Sequence, residues 1–407
     1  MDMMIKEISQ IKFLTVAKLG KSLSWMEKMR FFWHPVLIQY LKDAEGPVFA
    51  TIEYKKERLD LKRIPSNILS DSQRNMYKNL REIVLYNRTP LSAYLPISYQ
   101  HISYRVRWFI ASLLAIINRW RIKRKPTFPQ WPLDLSSDSL EDLEIFLNGE
   151  NSNRNTQGKI PVVLTHDIDT PESLKNLPNF LTIEEEFGCY STNFIVPKKW
   201  EIDHAILESA SASGHEIGVH GYNHDNKTPF LSGDRIRRRM EEIMPFIERY
   251  QVKGYRSPSL LRTENLFKYL KKFFVYDASV PTSGGLFSSK SNGCGTARPF
   301  FISNDRIIEI PLSIPSDASL LFLGYTPLQI LKLWIELSNI IAKSNGVIVL
   351  LTHCEKRYSG NTAMLDVYRQ FISFIANSNL FKFQRAYDVI SLLCLNNNYT
   401  MGKYESR

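Results

Sequence analysis

The chain has 407 residues, 44% of them apolar and 12% aromatic, enough for one large core or two ordinary ones. That composition excludes a disordered or fibrous chain. The net charge of +11 is unevenly spread: residues 1–125 carry 23 Lys/Arg against 10 Asp/Glu, and the remainder 29 against 31.

Residues 1–21 are interrupted by Lys6, Lys12, Lys18 and Lys21, so no signal peptide is expected. The most apolar stretch, residues 108–117, is about half the length a membrane-crossing helix needs. Arg105, Arg107 and Trp108 stand at one end of it. Arg119, Trp120, Arg121, Lys123, Arg124 and Lys125 follow the other. An apolar stretch between Trp and Arg/Lys fits a helix lying in the interface of an anionic membrane. A helix that packs this region onto the rest of the chain is the competing reading. No zinc-finger spacing or aromatic RNA-binding signature is present, so a nucleic-acid partner is not expected. Cys189, Cys294, Cys354 and Cys394 are widely separated and form no C-x-x-C pair. They suit reduced thiols in a cytoplasmic setting, at most peripheral to the inner membrane face.

Residues 125–132 hold three prolines and cannot continue a helix. They divide a basic, mainly helical region (1–130) from a second domain (131–407). After residue 155, apolar β-branched runs read as buried strands at 160–164, 189–196, 217–220, 252–255, 273–276, 307–310 and 347–352. Helical segments alternate with them at 171–187, 204–213, 234–250, 263–272 and 327–343. Such alternation predicts a parallel α/β sheet closing toward a βα barrel, with ligands at the C-terminal strand ends.

Four clusters fall at those ends. His166-Asp167-Ile168-Asp169 leaves the first strand, so one carboxylate could bind a metal and the other take a proton. Asp is also common in turns and caps. His220 and His224 lie four apart in a glycine-rich segment, where a helical turn would present both imidazoles to one ion. His215 precedes the strand and reads as a packing residue. Arg256 in Arg256-Ser257-Pro258 could fix a carboxylate, and His353 in Leu351-Thr352-His353 could donate a proton. A surface arginine and a capped histidine are the alternatives for these two. Cys354 should alternate away from the cleft.

Taken in order, these residues resemble the polysaccharide deacetylases of carbohydrate esterase family 4, the NodB-homology family, over about residues 158–395. The acidic pair, the H-x-x-x-H from His220 to His224, the R-x-P at Arg256 and the L-x-H at His353 match its motifs. The resemblance implies a distorted (β/α) barrel of the NodB type and hydrolysis of an N-acetyl group on a saccharide. It assigns Asp169, His220 and His224 to a divalent metal, Zn²⁺ first, with Co²⁺, Ni²⁺ or Mn²⁺ as alternatives. It makes Asp167 the base, Arg256 its partner and His353 the acid. Tyr222, Tyr255, Pro258 and Asp277 are the implied substrate contacts, with Asp277 the nearest match to an Asp-bearing fourth motif. Ile168 separates the two acids that are usually adjacent, so exchange of the roles of Asp167 and Asp169 stays open. A deformylase or other amide hydrolase, a non-catalytic carbohydrate binder and a two-His-one-carboxylate iron oxygenase are the rival readings.

Overall fold

The computed structural model describes residues 158–282, 297–302, 307–322, 324–343 and 346–396. Nearer the N-terminus it describes 15–17, 48–54, 57–62 and positions 89, 106, 109, 113 and 116. The proline-rich boundary at 125–132 and Cys294 lie outside the described residues. Three strands, β1 (Thr15–Ala17), β2 (Val48–Tyr54) and β3 (Glu57–Lys62), form an antiparallel sheet in that order. The sequence reading expects helix here, yet Val48, Thr51 and Ile52 are β-branched and favour a pleated strand.

From residue 158 the expected alternation is present. The elements run β4 (Ile160–Ile168), α1 (Pro171–Glu186), β5 (Thr192–Ile195), α2 (His204–Ala212), β6 (Glu216–His220), α3 (Gly233–Glu242), α4 (Met244–Arg249), β7 (Gly254–Arg256) and α5 (Glu264–Leu270). They continue with β8 (Tyr276–Asp277), β9 (Phe300–Phe301), β10 (Ile308–Glu309), α6 (Asp317–Phe322), α7 (Pro327–Lys343), β11 (Ile348–His353), α8 (Thr362–Ala376), β12 (Phe381–Phe383) and α9 (Ala386–Asn396). The helix expected over 234–250 is two helices. Pro245 lacks the N–H that a continuous helix would need, and the chain restarts there as α4. α1 begins where sequence chemistry dictates: the Thr170 hydroxyl accepts the Ser173 N–H and Pro171 opens the first turn.

The sheet order is β11-β4-β5-β6-β7-β8-β10-β9, with β12 added to β4. Every pairing is parallel except that of β9 with β10. The sheet curls into a half-barrel. Beyond β10, Ile314 N–H bonds to Val349 O on β11, drawing the two sides together. This is the distorted NodB-type barrel the sequence predicts.

Side chains alternate across this sheet with period two. Val162, Leu164 and Ile168 of β4 join the core beneath the helices, while Val163 packs inside the curl with Phe194, Tyr276, Ile308, Val349 and Leu351. The same alternation sends Asp167 and His353 inward and His166 and Thr352 outward. On the helix side, fully buried Phe371 of α8 meets fully buried Trp334 of α7 edge-on, ring centroids 5.7 Å apart. Phe371→Ala is expected to lower unfolding free energy by about 3–5 kcal/mol, read by urea denaturation with the secondary structure unchanged at zero urea.

Candidate active site

The site is assembled at the C-terminal ends of β4, β6, β7 and β11. β4 delivers Asp167 and, one residue past its end, Asp169. β6 ends on His220 and β7 on Arg256, which pair in register. β11 ends on His353, in register with Asp167.

His220 and His224 do converge, but not on a helical turn. His220 closes a strand, and the chain then folds back through Gly221 (φ 69°) and His224 (φ 58°), both left-handed. At Gly221 a Cβ would also lie 2.5 Å from Cδ of Pro258, so glycine is required twice over. Pro258 thus packs against the turn that carries both imidazoles. Asp169 Oδ1 lies 3.2 Å from His220 Nε2 and 3.3 Å from His224 Nε2. One ligand atom from each of the three residues falls within 4.8 Å of the others. Asp169 Oδ1 is buried and makes no hydrogen bond. His220 Nδ1 donates to Arg256 O (3.0 Å), which leaves the Nε2 lone pair facing the cluster. One carboxylate oxygen and two imidazole nitrogens, with an orphaned buried oxygen among them, fit a divalent cation.

Asp167 stands beside this cluster. Its Oδ1 accepts from Arg256 Nη1 (2.9 Å), and its Oδ2 is 3.6 Å from His220 Nε2. Arg256 is fully buried, donates also to Thr165 Oγ1 and Ala278 O, and stacks over Phe194 at 4.2 Å. On the neighbouring strand, His353 Nδ1 donates to Asp317 Oδ1 (2.8 Å). Asp317 Oδ2 takes the His353 backbone N–H (2.8 Å) and the Ser359 hydroxyl (2.7 Å). Burial opposes charge on this imidazole, but Asp317 outweighs it, with help from Asp169 and Asp167, and raises its pKa to about 10. Tyr358 packs against the ring, centroids 5.1 Å apart.

The other implied contacts are placed differently. Tyr222 turns its hydroxyl to Glu242 of α3 and lies under Arg239. Tyr255 is fully buried in the core beneath the helices, the face opposite Arg256. Asp277 is fully buried and accepts from Ser279 N and Oγ (2.9 and 2.8 Å). The acid that meets His353 is Asp317, at the start of α6, which no sequence spacing singled out. Cys354 is buried in the helix-side core, as alternation requires.

Residues 154–275 match the family model of the polysaccharide deacetylases. The matched segment contains Asp167, Asp169, His220, His224 and Arg256, and stops short of Asp317 and His353. Among solved structures, a Mycobacterium smegmatis protein assigned as a polysaccharide deacetylase is 21% identical; the match covers 60% of this chain and 94% of that one, with TM-score 0.49. PuuE allantoinase is 14% identical over 60% of this chain and 94% of its own, with TM-score 0.50. A carbohydrate esterase family 4 pseudoenzyme from Bacillus anthracis is 16% identical over 57% and 66%, with TM-score 0.39. At these identities the likeness is one of fold. No curated protein matches the sequence.

The Asp317–His353 pair makes a pH prediction. In Asp317→Asn the imidazole should fall back toward its ordinary value of about 6.5, read by NMR titration of His353. A histidine raised on folding stabilises fully below its unfolded pKa and loses that contribution as pH climbs to the folded one. The wild type should therefore lose stability between about pH 6.5 and about 10 from this group, and the variant should not.

Proposed function

We propose that this chain is a metal-dependent deacetylase that removes the N-acetyl group from an amino sugar of a polysaccharide or lipid-linked saccharide, releasing acetate. The observation that carries the reading is a cluster of three residues able to hold a cation, with an Arg256-bound carboxylate beside it and, on the strand next to that carboxylate, an imidazole paired with Asp317. Asp169, His220 and His224 would hold the cation, Zn²⁺ by donor type. When bound, it supplies Lewis-acid polarisation of the amide carbonyl and acidification of water.

The chain's own groups supply the proton transfers. Asp167 takes a proton from the attacking water through Oδ2, since Arg256 occupies Oδ1. Arg256 fixes the direction of that carboxylate, and its own position is fixed by Thr165 and Ala278 O. His353 is protonated at neutral pH and holds Nδ1–H on Asp317. Its Nε2–H is therefore the one presented to the departing amine. The base and acid stand on adjacent, in-register strands, so one amide can lie between them. The same groups would cleave an N-formyl or cyclic amide, and comparing acetate with formate release from matched substrates separates these acyl groups.

Asp169→Ala, His220→Ala and His224→Ala should each lose bound metal and activity together. Asp167→Asn keeps an acceptor for Arg256 and should retain metal while turnover falls by about 10²–10⁴. Metal analysis beside rates of acetate release checks both, and full turnover in Asp167→Asn removes it from the base role. Asparagine is preferable to alanine, because stripping a buried guanidinium of its partner costs about 3–5 kcal/mol.

For the basic N-terminal region we propose contact with an anionic membrane surface. Val106, Phe109, Leu113 and Ile116 are helical and exposed, and their spacing puts them on one helix face. Arg and Lys flank that stretch in sequence. Among the described residues no helix is long and apolar enough to cross a membrane. The protein should sediment with vesicles containing phosphatidylserine and not with phosphatidylcholine alone. Binding should weaken with salt and in Phe109→Glu, while equal sedimentation with both vesicles contradicts the proposal.

A further inference from the structure

The strands that carry the base and acid are tied together a second time, on their other face. β4 and β11 pair so that His166 stands opposite Thr352 and Asp167 opposite His353. Asp167 and His353 point into the curl, and their immediate neighbours point toward the helices. There His166 Nδ1 and Thr352 Oγ1 are 2.8 Å apart. The other ring nitrogen, His166 Nε2, is 2.7 Å from Glu184 Oε1 on α1. The Tyr368 hydroxyl of α8 donates to the same oxygen at 2.6 Å. His166, Thr352, Glu184 and Tyr368 are all fully buried.

A carboxylate buried at this depth is costly to keep ionised. Burial alone would push Glu184 upward, yet the imidazoles of His166 and, less strongly, His215 hold it at about 2. An apolar core would hold strands to helices at less electrostatic cost. Such a network does something packing does not: it has direction. Each bond has one donor, one acceptor and one preferred length, so the next-to-last pair of the β4–β11 ladder, beside Asp167 and His353, is locked by side chains as well as backbone.

We propose that the Glu184–His166–Thr352 chain is a positioning device for the deacetylation reaction, setting the separation of Asp167 and His353 from the opposite face of their strands. This rests on the deacetylase reading for its kinetic consequences, but not for its structural ones. Ordered bonds run Tyr368 to Glu184 to His166 to Thr352, crossing from two helices onto two strands. Loosening the chain lets the strand ends slide, and misplacing a catalytic group by about 1 Å costs on the order of a hundredfold in rate. None of these residues touches the cleft, so substrate affinity should be spared.

The test compares Thr352→Val with Thr352→Ser in the metal-loaded full chain. Valine keeps the volume and removes the hydroxyl; serine keeps the hydroxyl and removes a methyl. Positioning predicts that valine lowers kcat about tenfold or more with KM and bound metal within about twofold of wild type, and that serine keeps wild-type kcat. A packing role predicts the reverse order. Glu184→Gln, which keeps shape and loses charge, should behave like valine. Where a variant is destabilised, its thermal melt is recorded and kinetics are taken well below it. An activity-independent readout separates this proposal from the deacetylase reading. The downfield imidazole N–H resonance of the His353–Asp317 pair should shift in Thr352→Val and not in Thr352→Ser. Unmoved kcat and an unmoved resonance in both Thr352→Val and Glu184→Gln would overturn the positioning role. A wild type without deacetylase activity, but with the resonance shift intact, would overturn only the reaction.

Discussion

A guanidinium with no solvent access sits inside the curl of the sheet, and the interior is arranged around it. Arg256 is held by Asp167, Thr165, the carbonyl of Ala278 and the face of Phe194. Those partners come from three strands or strand ends: β4, β5 and the segment after β8. A charge this deep is tolerated only when it is paired and hydrogen-bonded. Its presence therefore fixes how β4, β5, β7 and the segment after β8 approach one another. It also fixes Asp167, which can take only one orientation if Oδ1 is to meet the guanidinium. The carbonyl of Arg256 sets the tautomer of His220 in turn. One buried cation thus organises both the proposed base and a ligand of the proposed metal.

The two sides of the β4–β11 pair divide the labour. The inward side carries groups left available for chemistry: an unbonded Asp169 oxygen and the outer nitrogen of His353, with Nε2 of His220 reaching Asp169 from β6. The outward side carries His166, Thr352 and Glu184, bonded to one another and shut off from solvent. Period-two alternation makes the arrangement possible: a residue that holds can sit directly beside one that reacts. The His353–Asp317 pair extends the same logic along the chain. Asp317 binds the imidazole and the backbone N–H of one residue, so it sets charge and position together.

Much of this was legible in the sequence. The strand–helix alternation after residue 155, the inward carboxylates and the H-x-x-x-H pair follow from hydrophobic period and residue type. Alternation also carried information that went unused. If Arg256 faces the curl, Tyr255 must face the helices, and Asp277, in register with Tyr255, must do the same. The turn at His220–His224 was misread as helical because spacing alone does not separate one helical turn from a strand end folded back on itself. Gly221 was the clue, and Pro258, thirty-odd residues later, supplies the contact that makes glycine necessary. Asp317 was invisible for a different reason: its partner lies far along the chain, and only the closing of the sheet brings the two together. The outward network escaped notice because a buried histidine beside an inward-facing carboxylate has no signature in sequence.

X-ray absorption at the zinc edge of the metal-loaded protein bears most directly on the central claim, that Asp169, His220 and His224 share one cation. Two imidazole scatterers with oxygen neighbours and no sulfur are predicted, and replacing His220 and His224 together should abolish the zinc signal. Zinc ligated by sulfur, or stoichiometric zinc that survives loss of both histidines, would contradict the account.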